Sequence, residues 1–462
     1  MQGNHHYQPE LFSQIDFENL IPRSHLLRKI DRVLDLSFLR NLTAPFYVNE
    51  KGRPSIDPEI FVRMVLLESL YDINSDRQLC EEVSYNLAYR WFCKLSLADS
   101  VPDHSSITRI RDRLGEEVYR DIFLKVVNQC KDAGLIKGQR LMTDGSLIKA
   151  NAANESLRPK DISDTNDYDQ KNGPQINNTS HVSKTDPEAT LAGKESQRKF
   201  LGYKTHYLCD FDTRVILGCP VTTGAVGEVK VFSKNFEEVK AEFKLNVQEV
   251  IADRGYGSVE NLRYLEVQGV ESNIALWSEK TGSTLIKNLE QGFKIDEINQ
   301  SVHCPEGHKM HLSTRDKAAQ TVIYTVQGQA CLSCVRSASC RSEYEIKSRR
   351  SRKFSLSDYY DIYLKTLEKQ RQPSFIKKLS ERMWKLEGLF AEGKNYHGLR
   401  RARYRGRAKT QMQVYLVATI QNLKRLAGKI FLICVSISSN LEKFKFEPLN
   451  IKKYWMLDEV LI

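Results

Sequence analysis

No apolar run in this chain is long enough to cross a bilayer. Nothing in its 462 residues approaches the ~20 consecutive apolar positions that a spanning helix needs. The best candidate, 430–437, is short and follows Lys424, Arg425 and Lys429, so it reads as a core segment. The N-terminal Met-Gln-Gly-Asn-His-His lacks the basic-then-apolar layout of a secretory signal. A cytoplasmic protein with no membrane partner is expected. Acidic excess is missing too: 69 Lys and Arg against 58 Asp and Glu leave a net charge of +11, which favours a polyanionic partner. Also absent are a Ser-His-Asp or Cys-His constellation and a phosphate loop of the Gly-x4-Gly-Lys type. What is present is ordinary globular composition, 41% apolar and 27% charged, in a chain long enough for two or three domains.

The pattern changes along the chain. Residues 1–135 read as helical: Asp57-Pro58 and Ser75 open helices, and Asp103 caps another that carries Arg109, Arg111 and Arg113. This segment is either a DNA-binding helical domain or a scaffold bundle. Strands and helices alternate over 136–275, an α/β layout. It is interrupted at about 152–198 by a polar stretch with too few large apolar residues to fold alone, expected to be an inserted and partly disordered loop. Residues 276–372 form a polar, cysteine-bearing insertion, and helices return over 373–462.

Three acidic residues stand out. Asp144 and Asp253 each follow an apolar strand run and are followed by Gly, which sets a carboxylate at a strand's carboxyl end. Either alone reads as a turn residue. Glu387 is expected inside the apolar helix face formed by Leu379, Met383, Leu386 and Phe390. There it would need a cation, a shared metal ion or a nearby Lys or Arg. Three carboxylates suit Mg²⁺, which takes few protein oxygens and leaves room for phosphate and water. A basic run from Lys394 to Lys409 contains Arg400, Arg401, Arg403, Arg405 and Arg407 without an acid, with Tyr396, His397 and Tyr404 interleaved for stacking.

The segments 101–114 (VPDHSSITRIRDRL), 141–152 (LMTDGSLIKANA), 183–189 (SKTDPEA), 201–206 (LGYKTH), 250–258 (VIADRGYGS) and 385–406 (KLEGLFAEGKNYHGLRRARYRG) occur in an order that resembles bacterial insertion-sequence transposases of the DDE type. The likeness runs from about 55 to 428. It implies a ribonuclease-H-like mixed sheet flanked by helices, with an N-terminal helical domain and a cysteine-bearing insertion. It implies Asp144, Asp253 and Glu387 as catalytic and Mg²⁺-holding residues, with Mn²⁺ able to substitute. Lys394, seven residues after Glu387, matches a Glu-x6-Lys pattern whose Lys contacts DNA phosphate. The family pattern also has a Tyr seven and an Arg four residues before the Glu. Ser380 and Met383 occupy those positions here, and Arg382 is displaced by one. Where relatives often carry an Asp, this chain has Glu228, to which no catalytic role is assigned.

Ten cysteines in a cytosolic chain predict no disulfide framework. Cys80, Cys93, Cys130, Cys209, Cys219 and Cys434 read as inert core residues. Cys304, Cys331, Cys334 and Cys340 form a candidate structural zinc site, with His308 as alternative to Cys304. Four reduced cysteines are the competing reading.

The expectation is a transposase that cleaves the ends of an insertion sequence and joins them to target DNA. Lys394, Arg400, Arg401, Arg403, Arg405, Arg109 and Arg113 would contact double-stranded DNA. A homodimer on DNA, and nucleoid association when bound, follow from synapsis of two ends. The alternatives are a catalytically idle DNA-binding descendant and a ribonuclease-H-like nuclease without strand transfer.

Overall fold

The computed structural model describes residues 16–47, 55–160, 176–193, 199–276, 284–296, 301–316, 321–327, 329–357 and 360–441. Helices come first: α1 (Phe17–Leu20), α2 (Leu26–Asp31), α3 (Leu39–Thr43), α4 (Pro58–Leu70), α5 (Asp76–Tyr85), α6 (Leu87–Phe92) and α7 (His104–Asp132). Strands follow: β1 (Arg140–Lys149), β2 (Leu157–Pro159), β3 (His181–Ser183), β4 (Thr190–Ala192), β5 (Phe200–Asp210), β6 (Ile216–Gly218) and β7 (Val221–Thr223). Then come α8 (Val229–Phe243), β8 (Glu249–Ala252), α9 (Val259–Val267), β9 (Glu271–Ile274) and α10 (Thr284–Glu290). The cysteine-bearing region holds β10 (Lys294–Asp296), β11 (Ser301–His303), β12 (Lys309–Asp316), β13 (Thr321–Val326), α11 (Ser337–Cys340), α12 (Glu343–Lys347) and β14 (Lys353–Ser357). The last of the described elements are α13 (Tyr360–Gln370), α14 (Pro373–Tyr396) and α15 (Arg407–Leu441). The class is mixed α/β. Among the described residues no helix is long and apolar enough to cross a membrane.

The helix starts obey local chemistry. Asp57 accepts the Glu59 N–H at 2.8 Å with Pro58 in the first turn of α4, Ser75 accepts the Gln78 N–H at 3.2 Å, and Asp103 accepts the Ser105 N–H at 2.8 Å. Helix α7 is broken at Gly115, whose φ of 66° and ψ of −176° suit a residue without Cβ.

The described residues fall into two compact units. The first draws on Met1–Lys137, Gly145–Val226 and Leu386–Ile462. Its core joins Phe61, Leu66, Leu67, Ile107 and Ile122 of the early helices to Met412, Leu416, Ile420 and Leu423 of α15. The early helices therefore bury their apolar faces against α15. In this unit β5 pairs antiparallel with β4, β6 and β7. The polar stretch expected as a loop is folded where described: β2 and β3 pair antiparallel, and Asn178 ties both the N–H and the carbonyl of Leu191. Side-chain amides and hydroxyls there satisfy the backbone that a larger apolar core would otherwise have to enclose. Positions 161–175 and 194–198 of that stretch lie outside the described residues.

The second unit draws on Gly138–Asp144 and Gly227–Lys385. The start of β1, β8 and β9 run parallel, with Met142 beside Ile251 and Ile251 beside Asn273. Residues 294–357 contain a five-stranded antiparallel sheet in the order β10-β11-β12-β13-β14, which the polar composition did not suggest. Its core is Phe293, Val302, Met310, Val322, Tyr324, Val326, Phe354 and Leu356. In β13 the buried residues alternate, so a small apolar count suffices for a one-sided sheet.

The segment at 430–437 starts with an exposed residue, Ile430, so its first position is not core; side chains beyond it lie outside the described residues. Cys93, Cys130, Cys209 and Cys219 are buried, and Cys80 is half-buried. Cys434 falls in the same undescribed side-chain stretch.

Candidate active site

β1 and β8 run parallel, with residues 140, 141 and 142 beside 249, 250 and 251, and Asp144 and Asp253 each lie two residues beyond the last paired position. The charges of both acids act on the buried hydroxyl of Tyr256. The local settings differ from the expectation. Asp253 follows the last residue of β8 and its Oδ1 accepts the Gly255 N–H at 2.9 Å, capping a short 3₁₀ turn. Asp144 sits within β1 and does not end it, because Gly145–Lys149 continues as strand and the Ala150 N–H donates to the Leu201 carbonyl at 2.8 Å.

Around this pair stand residues that the sequence did not single out as functional. Arg382, 7% exposed, places Nη1 3.3 Å from Oδ2 of Asp144 and donates to the Thr143 carbonyl at 3.1 Å. A buried guanidinium needs such partners. Glu228, at the entry to α8, reaches the turn after Asp253: a Cβ on Gly255 would stand 2.6 Å from Oε2 of Glu228 and 3.1 Å from Oδ1 of Asp253. Glycine at 255 is what leaves room for that approach. Tyr256 is 1% exposed, and its hydroxyl has no hydrogen-bond partner of good geometry. Burial pushes this phenol well above its usual range, and the charges of Asp144, Glu228 and Asp253 add to the rise. An interaction with Thr143 opposes the rise. The Asp-x-Gly-Tyr spacing was the available signal for Tyr256. Nothing in the sequence marked Glu228 as a neighbour of Asp253.

Glu387 belongs to the first unit and corrects the helix reading. On α14 the buried side is Phe375, Arg382, Lys385, Leu386, Leu389 and Phe390, while Met383 is 49% exposed and Glu387 is exposed. Met383 and Glu387 share a solvent-facing stripe, so the cost of a core carboxylate does not arise. Glu387 makes no hydrogen bond or ion pair with the described residues. Among those residues no three His, Cys, Asp or Glu side chains gather closely enough to hold a metal ion.

The basic run separates into two kinds of residue, all in the first unit. Arg400, Arg401 and Arg405 are exposed, with Arg400 donating to Oδ1 of Asn395 at 2.6 Å. Lys394 is half-buried, and burial with the nearby Arg400 charge lowers its pKa. Arg403 turns inward, 3.2 Å from Glu68 and 3.1 Å from Asp72. The interleaved rings turn inward as well: Tyr404 donates to Glu68 at 3.0 Å beneath Arg111, and His397 is buried against the Leu70 carbonyl. Only Tyr396 of the three is exposed, so the expected stacking surface is reduced to one ring. On α7, Arg109 and Arg113 are exposed, Arg113 lying over the Tyr47 ring at 5.2 Å. Arg111 between them is buried on Asp76 and Glu68.

Cys304, His308, Cys331, Cys334 and Cys340 line one small cavity in the second unit, beside the core of the antiparallel sheet. Burial raises the Cys340 thiol; Arg352 opposes this, and the other three cysteines add to it.

Two transposase families match the sequence. The "Transposase domain (DUF772)" matches residues 15–113, and the "Transposase DDE domain" matches 303–427. The second match includes Glu387, Lys394 and the four clustered cysteines, while Asp144 and Asp253 lie outside both. No curated protein matches the chain. Among solved structures, a piggyBac transposase synaptic complex with hairpin DNA is 10% identical with a TM-score of 0.32, covering 91% of this chain and 80% of the other. The Mos1 transposase paired-end complex with left transposon end and the Mos1 mariner paired end complex with Mn are each 13% identical with a TM-score of 0.16. Each covers 51% of this chain and 64% of its own. Scores this low place no feature of the fold. The two sequence matches do the identifying: with a transposase domain near its start and a DDE domain toward its end, the chain is similar to transposases of the DDE type.

Proposed function

We propose that the chain is a DNA transposase with a ribonuclease-H-like core, which cuts the ends of an insertion sequence and transfers the freed strands to target DNA. The observation that supports this reading is the parallel pairing of β1 with β8, with Asp144 and Asp253 each two residues past the paired positions of one unit, in a chain that also matches a DDE domain. Glu387 is the third acid of the proposed site. Its exposed, unpartnered carboxylate suits a ligand role better than a structural one.

The donor chemistry fits a hard divalent cation, Mg²⁺ with Mn²⁺ as substitute: the site offers carboxylate oxygens and no thiol or imidazole. Such an ion, when bound, would sharpen the attacking oxygen and stabilise the leaving one. The residues of the chain do the rest. Arg382 offsets the charge of Asp144 and fixes its orientation from a buried position. Lys394, Arg400, Arg401 and Arg405, with Arg109 and Arg113, hold DNA phosphates. Arg403 supports them from inside, through Glu68 and Asp72. Two copies act together on paired ends. The cavity lined by Cys304, Cys331, Cys334, Cys340 and His308 is proposed as a zinc site that braces the antiparallel sheet, supported by the place of all five on one cavity wall, although among the described residues they are not drawn together at ligand distance.

The test is Mg²⁺-dependent nicking of duplexes copied from the DNA that flanks the coding sequence, followed by a search for joined products. Asp144→Asn, Asp253→Asn and Glu387→Gln should each abolish nicking. Nicking that survives all three would overturn the site. Cutting without joining would favour a nuclease, and binding without cutting an idle descendant.

A further inference from the structure

We propose that a cavity at the end of β1 binds one unpaired nucleotide of a DNA strand, with its phosphate on Lys149 and Arg401 and its base against Phe200 and Ala153. This inference rests on the reading of the chain as a protein that acts on DNA.

Three observations from the first unit carry it. The first is how the cavity is built. Three segments far apart in sequence meet here through main-chain bonds. The Lys149 N–H donates to the Arg400 carbonyl at 3.2 Å, the Ala402 N–H to the Lys149 carbonyl at 2.7 Å, and the Ala150 N–H to the Leu201 carbonyl at 2.8 Å. Asn154 ties the turn after β1 to the start of β5, donating to the Lys199 carbonyl at 2.9 Å and accepting from the Leu201 N–H at 3.2 Å. The space between these segments is about 400 Å³, enough for a small ligand. Its walls are held by the fold, so binding there has little backbone left to order.

The second is charge. Residues 149 and 401 form a parallel bridge, which sets two cations at neighbouring positions of one ladder. Both side chains are exposed and line the cavity, as does the exposed Lys199. Among the described residues, neither Lys199 nor Arg401 makes a side-chain hydrogen bond or ion pair. The Lys149 ammonium lies over the Phe200 ring at 5.6 Å, which keeps cation and ring within reach of one ligand. Against the three cations, Glu155 is the acid on the cavity wall. Such a recess favours an anion.

The third is the apolar wall. Ala150, Ala152 and Ala153 carry small side chains, and the half-buried Phe200 lies beside them. A bare phosphate would leave this wall uncovered, whereas a nucleotide offers a flat base for it as well as an anion for the cations. Basic grooves with an aromatic ring are how unpaired strands are held. A base inside a duplex is stacked on both faces and cannot enter a recess. Arg400 and Arg405, exposed on the same segment as Arg401, are placed to take the neighbouring phosphates.

The experiment measures how tightly the full chain binds a short fluorescein-labelled oligothymidylate and a blunt duplex, by anisotropy without divalent metal. Ala153→Trp fills the cavity and removes no charge. It should weaken oligothymidylate binding by about tenfold and leave duplex affinity within about twofold. Lys149→Gln should weaken oligothymidylate binding several-fold and lower its salt slope by about 0.7. Phe200→Leu, which keeps apolar bulk without the ring, should also weaken it several-fold. Ala153 and Lys149 are exposed, so the first two substitutions probe the cavity at an unchanged melting temperature. Wild-type oligothymidylate affinity in both Ala153→Trp and Lys149→Gln would overturn the proposal and leave the DNA reading standing. Duplex binding with no affinity for oligothymidylate would do the same. A chain that binds neither DNA would remove the parent reading, and the proposal with it.

Discussion

The guanidinium of Arg382 lies 3.3 Å from Oδ2 of Asp144 while holding the Thr143 carbonyl, so one buried cation from α14 grips both the backbone and the acid of β1. Replacing it should therefore harm activity more than stability. Arg382→Gln keeps one donor for Thr143 but removes the guanidinium charge from beside Asp144. Nicking should fall by at least about tenfold, with a stability loss of roughly 1–3 kcal/mol in urea titration. Full activity in this variant would show that the contact is incidental.

The arginines of the basic run should divide by side-chain direction. Arg400, Arg401 and Arg405 are exposed, so replacing any one with Ala should weaken DNA binding and reduce the salt slope by about one, at constant stability. Arg111 is the opposite case, with its side chain 3% exposed between Glu68 and Asp76. Arg111→Ala removes a buried cation from Asp76 and leaves Glu68 to Arg403 and Tyr404, and should cost roughly 1–3 kcal/mol, read by thermal or chemical denaturation. Equal salt slopes for Arg401→Ala and wild type would remove Arg401 from the phosphate contacts.

His206 gives the fold an acid sensitivity. Burial, helped by the charge of Lys204, lowers its pKa to about 4, and its Nε2 lies 2.9 Å from the Thr222 hydroxyl. The folded imidazole stays neutral where the unfolded one, with a pKa near 6.5, takes up a proton. The unfolded state then binds more protons, and stability present above pH 6.5 is lost as pH falls toward 4, by roughly 3 kcal/mol in all. His206→Gln should flatten that part of the stability–pH curve. An identical curve for the variant would rule out His206 as its source.

Zinc should be found in protein purified without chelator, at about one ion per chain, if the cysteine-lined cavity is a structural site. Cys331→Ser or Cys334→Ser should lose the metal and lower the melting temperature. A chain that is stable and free of zinc would reduce the four cysteines to ordinary thiols.

The acidic site was partly legible because strand ends, glycines and motif order are written locally. Asp144 and Asp253 could be named without knowing the partner of either strand. Arg382 was visible only as a departure from a pattern. Its contact with Asp144 depends on how α14 meets β1, across more than two hundred positions of chain. The reading of Glu387 erred for an instructive reason. Leu379, Met383, Leu386 and Phe390 do recur at helical spacing, yet the buried side is set by which neighbours the helix meets. Lys385, Leu386 and Leu389 face inward and Met383 faces out. Apolar identity does not fix burial when charged residues can be paired inside.

The basic run shows the same limit. Its composition marks it as suited to a polyanion, but seven cations in sixteen positions cannot say which ones point outward. Arg403 and Tyr404 turn inward because Glu68 of α4, Asp72 of the turn after it and Asp76 of α5 await them there.

By itself, the sequence determined the helix caps, the alternation of strands and helices, the transposase likeness and the two aspartates. Each of these depends on a few residues near one another in the chain. Tertiary structure alone decided that Glu228 borders the turn after Asp253, that Tyr256 is buried beside it and that Arg382 meets Asp144. Those relationships join segments far apart in sequence, and they exist only once register and packing have closed the distance between them.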